Sequence, residues 1–319
     1  MISVLPIPNS SFLISNLKVV IFVYILETDG LTKEYSHVKV VDGVSLKVEQ
    51  GDIYGFVGKN GAGKTTFIRM VLGLTGITDG SFKLFEGESL KTAKKRVGSL
   101  IESPALFKNM TASENLDVYC TMLGADKKTI PEILETVGLS DTGRKKAGDF
   151  SLGMKQRLGI GLALVGNPDF LILDEPINGL DPTGIVDIRE MLLRLKEQGK
   201  TIFISSHILG ELEKMATRYG IISGGKLVEE ISAEELAEKC GSRTVIKVSD
   251  TVKASSIILK FLEGSTDNLE CEKNSIFIKA KIENIGELTN ALFNAGIVVS
   301  GITTDENSAE RYFINKMEG

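Results

Sequence analysis

The stretch Gly58-Lys59-Asn60-Gly61-Ala62-Gly63-Lys64-Thr65 constrains this chain more than any other. It fits G-x-x-x-x-G-K-[ST], a loop whose glycines let backbone N–H groups close around phosphate oxygens. Such a loop works between a strand and a helix, because the helix aims its positive N-terminal end at the bound charge. Both elements are expected here: Ile53 to Val57 (IYGFV) reads as a buried strand and Lys64 to Leu74 as a helix. In that frame Lys64 reaches the β- and γ-phosphates of a nucleotide, and the Thr65 hydroxyl is a Mg²⁺ ligand.

A second segment supplies matching chemistry. Phe170-Leu171-Ile172-Leu173-Asp174-Glu175 is an apolar run ending in two carboxylates. A buried parallel strand delivers its C-terminal end to the ligand crevice of an open α/β sheet. Asp174 is then a candidate for the Mg²⁺ shell, and Glu175 for the group that polarises a water attacking the γ-phosphate. His207 directly follows the apolar run Thr201 to Ser206. From the residues alone, a lone histidine at a strand exit reads as structural, and so does His37.

The rest of the chain supports an α/β class, in which short apolar runs alternate with helical patterns. Val19 to Thr28 and Val44 to Val48 read as strands. Ile185, Ile188, Leu192 and Leu195 share one helical face, closed by Gly199. Between about 103 and 149 helical signals dominate, which indicates a helical insertion. The last ~80 residues read strand, helix, strand, helix, strand, a small α+β accessory domain; a chain this long divides into roughly two domains. No residue with evident chemistry stands in that part.

Composition excludes several alternatives. Apolar residues make up 42% and charged residues 25%, which rules out a disordered or collagen-like chain. The net charge of −5 argues against a protein that neutralises nucleic-acid phosphates. Three cysteines without a C-x-x-C pair fit a reducing compartment and no structural zinc. The apolar stretch Val19 to Leu26 is too short to span a bilayer and is preceded by Asn16 and Lys18.

Taken in order, these motifs resemble those of the ATP-binding subunits of ABC transporters, over roughly Tyr24 to Glu230. Gly58 to Thr66 is similar to the Walker A loop of that family, which places Gly58, Asn60, Gly61, Gly63, Lys64, Thr65 and Thr66 on ATP. Ile172 to Glu175 is similar to its Walker B end and Asn178 to Asp181 to its D-loop. The resemblance puts Tyr35 on the adenine and turns His207 into the switch histidine that contacts the γ-phosphate. Phe150 to Arg157 stands at the family's signature: Ser151 and Gly153 match it, whereas Leu152 and Met154 depart from it. In the family that signature holds ATP bound by a partner subunit, so a homodimer of nucleotide-binding domains is implied. Glu102 occupies a position where the family usually has glutamine. A glutamate there is similar to ATPases of bacitracin- and lantibiotic-type exporters, and its oxygens can approach Mg²⁺.

The expectation is therefore a P-loop ABC ATPase cassette with a parallel-sheet core, antiparallel N-terminal strands and a helical insertion, followed by the small α+β domain. Residues 24–240 form the cassette, with its helical subdomain at about 103–165, and residues 241–319 the accessory domain. Residues 1–23 are expected to be extra sequence from a misassigned start. The implied ligands are ATP and Mg²⁺. The implied partner is an integral membrane permease, with the chain cytoplasmic and peripheral on the inner face of the membrane. Two competing readings are a soluble ABC-type ATPase acting on ribosomes or nucleic acid, and a binding module with dead catalysis. The single phosphate loop and the negative charge disfavour the first, and the presence of Lys64, Asp174, Glu175 and His207 disfavours the second.

Overall fold

The computed structural model describes residues 23–240, 243–262, 269–278, 284–305 and 309–318. The segment 1–22, which holds nearly all of the expected extra sequence and the part of the expected Val19 to Thr28 strand before Val23, lies outside the described residues.

The chain opens with β1 (Tyr24–Tyr35), β2 (Val38–Val44) and β3 (Lys47–Glu49). β1 pairs antiparallel with both, and also with β5 (Asp79–Leu84). The strand expected over Val44 to Val48 is broken at its centre. Val44, Leu46 and Val48 are all buried, as their alternation demands. The Thr28 hydroxyl interrupts the ladder, accepting from Leu46 N–H (2.9 Å) and donating to the Val44 carbonyl (3.0 Å).

The central sheet is built from β4 (Ile53–Val57), β6 (Val97–Leu100), β7 (Phe170–Asp174), β8 (Thr201–Ser206), β9 (Arg218–Ser223) and β10 (Lys226–Ser232). Their order is β10-β9-β4-β8-β7-β6, parallel except for the antiparallel edge strand β10. Every residue of β4, β7 and β8 is buried, which is why these strands read as unbroken apolar runs. Their C-terminal ends carry Gly58, Asp174-Glu175 and His207 to one edge.

On one side α1 (Lys64–Val71) buries Phe67, Ile68, Met70 and Val71. Phe56, Phe67 and Phe203 form a ring cluster beneath it, with centroids 5.0 to 5.9 Å apart. The short α2 (Leu90–Ala93) precedes β6. On the other side lie α5 (Leu152–Leu164) and α6 (Pro182–Glu197), whose Ile188, Met191, Leu192 and Leu195 are buried. α3 (Ala112–Leu123) and α4 (Ile130–Thr136) form the helical insertion. α3 starts with a reciprocal Thr111–Glu114 capping box, which satisfies two N-terminal donors. Among the described residues no helix is long and apolar enough to cross a membrane.

After α7 (Leu209–Leu212) and α8 (Ala233–Lys239) come β11 (Arg243–Val248), α9 (Thr251–Phe261), β12 (Leu269–Glu272), β13 (Ser275–Ile278), α10 (Ile285–Asn294) and β14 (Val299–Asp305). This βαββαβ run forms an antiparallel sheet of order β12-β13-β11-β14, a split-βαβ arrangement. Ile246, Ile258, Ile276, Ile278, Leu288 and Leu292 form its own core.

The last helix, α11 (Ala309–Glu318), joins the other core. Phe313 is fully buried, its ring 5.3 Å from that of Tyr219. Beside it, Glu229 accepts from the Tyr312 hydroxyl at 2.8 Å and pairs with Lys239 and Lys316 at 2.9 and 3.0 Å. Burial works to raise the Glu229 pKa, but these three donors outweigh it and hold the carboxyl below its usual range. Replacing Phe313 with alanine is expected to cost about 3–5 kcal/mol, as for other buried phenylalanines. Urea unfolding should show the lowered midpoint, and limited proteolysis should cut the 309–318 segment first.

Candidate functional site

The phosphate loop takes its shape from glycines that no other residue replaces. Gly63 has φ +107, and a Cβ there would lie 2.5 Å from the Val40 carbonyl oxygen. At Gly58 a Cβ would meet the Ile222 carbonyl oxygen at the same distance. The backbone thus packs where side chains would otherwise intrude, leaving a cradle of about 190 Å³. Val40, Asn60, Gly61, Gly63, Lys64, Thr65, Thr66 and Glu175 line it. Val40 comes from β2, a strand the sequence reading did not find.

Lys64 sits at the start of α1 with 5% of its surface exposed. Its Nζ donates to the carbonyls of Gly58 (2.6 Å) and Lys59 (3.3 Å) and lies 3.2 Å from Glu175 Oε1. That contact is an ion pair without hydrogen-bond geometry, so Glu175 Oε1 is a buried oxygen with no hydrogen-bond donor. Glu175 Oε2 is 2.8 Å from His207 Nδ1. Because a carboxylate only accepts, Nδ1 carries the proton and Nε2 is left as the free ring nitrogen.

Both oxygens of the other carboxylate have a hydroxyl donor. Asp174 is 1% exposed; its Oδ2 accepts from the Thr65 hydroxyl at 2.7 Å and its Oδ1 from the Ser205 hydroxyl. Glu175 leaves the strand with φ +51, a left-handed conformation unusual for glutamate. A half-buried hydroxyl and a buried carboxylate side by side at the loop supply oxygens that a hard divalent cation could use together with nucleotide oxygens. The residues present therefore fit Mg²⁺, with Thr65 and Asp174 as its holders.

The remaining candidates lie apart from this cluster. Tyr35 is exposed at the end of β1, its hydroxyl 3.2 Å from Thr75 Oγ1 and its ring under Lys33 Nζ at 4.8 Å. Glu102, also at positive φ (+57), pairs with Arg69 of α1 at 2.7 Å and does not line the phosphate cradle. That pair is exposed on both sides, and such pairs hold a side chain weakly. Ser151 caps α5, its Oγ accepting from Met154 N–H at 3.3 Å. With Gly153, Gly179, Leu180 and Asp181 it lines a separate cavity of about 370 Å³. This cavity and the phosphate cradle share no lining residue. A further cavity of about 380 Å³, lined by Ile133, Leu195 and Lys200, lies away from all these groups.

Comparison with known proteins follows the same lines. Residues 41–178 match the ABC transporter family. The bacitracin transport ATP-binding protein BcrA of Bacillus licheniformis is 44% identical over 301 residues, 92% of this chain and 98% of that protein. The lantibiotic transport ATP-binding protein SrtF of Streptococcus pyogenes is 44% identical over 206 residues, 64% of this chain and 90% of that one. Among solved structures, the ADP conformation of MJ1267, an ATP-binding cassette of an ABC transporter, superposes with a TM-score of 0.61 at 28% identity. It covers 66% of this chain and 92% of its own. A phosphate loop, two carboxylates and a histidine gathered at one sheet edge, with a 44% identical relative matched over 92% of the chain, lead to one conclusion: the chain belongs to the ABC transporter family, as an ATP-binding, ATP-hydrolysing subunit.

Proposed function

We propose that this subunit powers a separate integral membrane permease that exports, or confers resistance to, a peptide antibiotic. It would work on the cytoplasmic face of the membrane as a homodimer of its nucleotide-binding portions. Residues 24–240 would form that portion, with the helical subdomain at about 103–165, and residues 241–319 an accessory unit clasped to it through α11. The observation that carries the ATPase chemistry is the convergence of Lys64, the Thr65–Asp174 pair and the Glu175–His207 pair on one cradle. The two relatives named for bacitracin and lantibiotic transport support the substrate class.

In this reading the loop N–H groups and Lys64 hold the β- and γ-phosphates. For that, Lys64 must leave the Gly58 carbonyl and Glu175 and turn to the nucleotide. Glu175 Oε1, already buried without a hydrogen-bond donor, is then free to accept a proton from the attacking water. His207 fixes the Glu175 carboxylate through Nδ1, and its Nε2 contacts a γ-phosphate oxygen only when it too carries a proton, because that oxygen is an acceptor. Mg²⁺, held by Thr65 and Asp174, would neutralise charge on the phosphate oxygens, and Glu102 would join it only by leaving Arg69. Ser151 and Gly153, at a helix N-terminus, suit a phosphate presented by a second subunit. The separation of their cavity from the cradle supports that composite site.

The test is resistance in cells. A sensitive host expressing this chain with its permease should tolerate a higher concentration of a bacitracin- or lantibiotic-type peptide, and Lys64→Ala or Glu175→Gln should abolish the gain. Equal tolerance with and without the intact pair would sink the substrate class.

A further inference from the structure

We infer that Ser205 is a positioning residue that sets both acidic side chains of the site; the inference rests on the ATPase reading above. Ser205 is fully buried in β8, directly opposite Asp174 in the parallel ladder with β7. Its hydroxyl donates to Asp174 Oδ1 and accepts the Glu175 backbone N–H at 3.1 Å. The Ser205 carbonyl receives the same N–H, also at 3.1 Å. One side chain thus fixes the rotamer of Asp174 and clamps the peptide that starts Glu175.

That clamp matters because of the backbone it holds. A non-glycine residue at φ +51 persists only when its surroundings over-determine it. The left-handed turn at Glu175 swings the side chain out of the strand direction toward Lys64 and His207. Asp174 depends on the same hydroxyl for a second reason. Its other oxygen is held only by Thr65, a residue that must itself face the nucleotide. Once Thr65 turns away, Ser205 is the remaining protein donor recorded on Asp174. The neighbouring Ser206 is spent differently, its Oγ capping Ile208 N–H at 2.9 Å. Two adjacent hydroxyls therefore have separate tasks, and only Ser205 touches the acidic pair.

The experiment compares the full-length wild type with Ser205→Ala and Ser205→Thr. Ser205→Ala should lower kcat by about 10- to 100-fold, the scale of a small misplacement of reacting groups, with the ATP KM little changed. Mn²⁺ affinity of the nucleotide complex, read by electron paramagnetic resonance, should weaken about 10-fold, as for loss of other outer-shell partners. Ser205→Thr, which keeps the hydroxyl, should restore most of kcat and of the Mn²⁺ affinity. An unchanged kcat and Mn²⁺ affinity in Ser205→Ala would overturn this inference while leaving the ATPase reading intact. So would a threonine variant that folds with the wild-type melting temperature yet is as slow as the alanine one. A wild type without metal-dependent ATP hydrolysis would overturn the ATPase reading, and this inference with it.

Discussion

Replacing Glu175 with glutamine is expected to lower ATP turnover by about 10²- to 10⁴-fold, the usual worth of a positioned general base. Binding should survive, and the physical reason lies in the Lys64–Glu175 ion pair. Lys64 Nζ is 3.2 Å from Glu175 Oε1, so ATP must compete with a carboxylate for the ammonium. Glutamine keeps the size of the side chain and removes the competing charge. It also removes a negative group from the neighbourhood of the γ-phosphate. ATP affinity in Glu175→Gln should therefore equal or exceed that of the wild type while hydrolysis nearly stops, and the nucleotide-bound dimer should accumulate. Equilibrium binding of a fluorescent ATP analogue, paired with phosphate release, separates the two quantities. Undiminished phosphate release would rule out Glu175 as the base.

Lys64→Ala should give the opposite division between binding and chemistry. The ammonium is nearly buried and touches only loop carbonyls and Glu175, so its charge is poorly screened. Removing it takes away the cation aimed at the phosphates and leaves Glu175 facing them uncompensated. ATP affinity should fall steeply, and any remaining hydrolysis should drop by about 10²- to 10³-fold, the scale of losing one preorganised electrostatic contact. Melting temperature should change little, because His207 still holds the other Glu175 oxygen at 2.8 Å. Comparing ADP and ATP titrations should show the larger loss for ATP, whose γ-phosphate is proposed to meet that charge.

These two predictions rest on elements that were legible in the sequence. β4, β7 and β8 are buried on both faces, so each left an apolar run ending in the residue that matters. α6 left its stripe at Ile188, Leu192 and Leu195 because only one face is buried. Elements without a clean period were missed. β5 (DGSFKL) is mostly exposed and β12 (LECE) carries two glutamates, so neither alternates visibly. β2 is interrupted by Asp42-Gly43, which reads as a turn. The last helix did leave a trace: Ala309, Phe313 and Met317 recur every four residues, the spacing of a buried helical stripe.

Side-chain relations were harder to foresee than elements. That Lys64, Asp174 and Glu175 belong together follows from motif order. The Asp174–Ser205 contact depends on the register of two strands, which no local pattern fixes. The pairing of Glu102 with Arg69 depends on the path of the loop after β6, and the separation of Ser151 from the cradle on where α5 begins. The C-terminal unit shows the same limit. Its alternating strands and helices were readable, but not the return of α11 onto Tyr219 and Glu229.

The most direct test of the whole account is ATP hydrolysis by this chain reconstituted with its permease in liposomes, measured with and without a peptide antibiotic. The account predicts Mg²⁺-dependent hydrolysis that rises when a bacitracin- or lantibiotic-type peptide is added and disappears in Glu175→Gln. Hydrolysis that ignores the peptide, or that persists in Glu175→Gln, would contradict it.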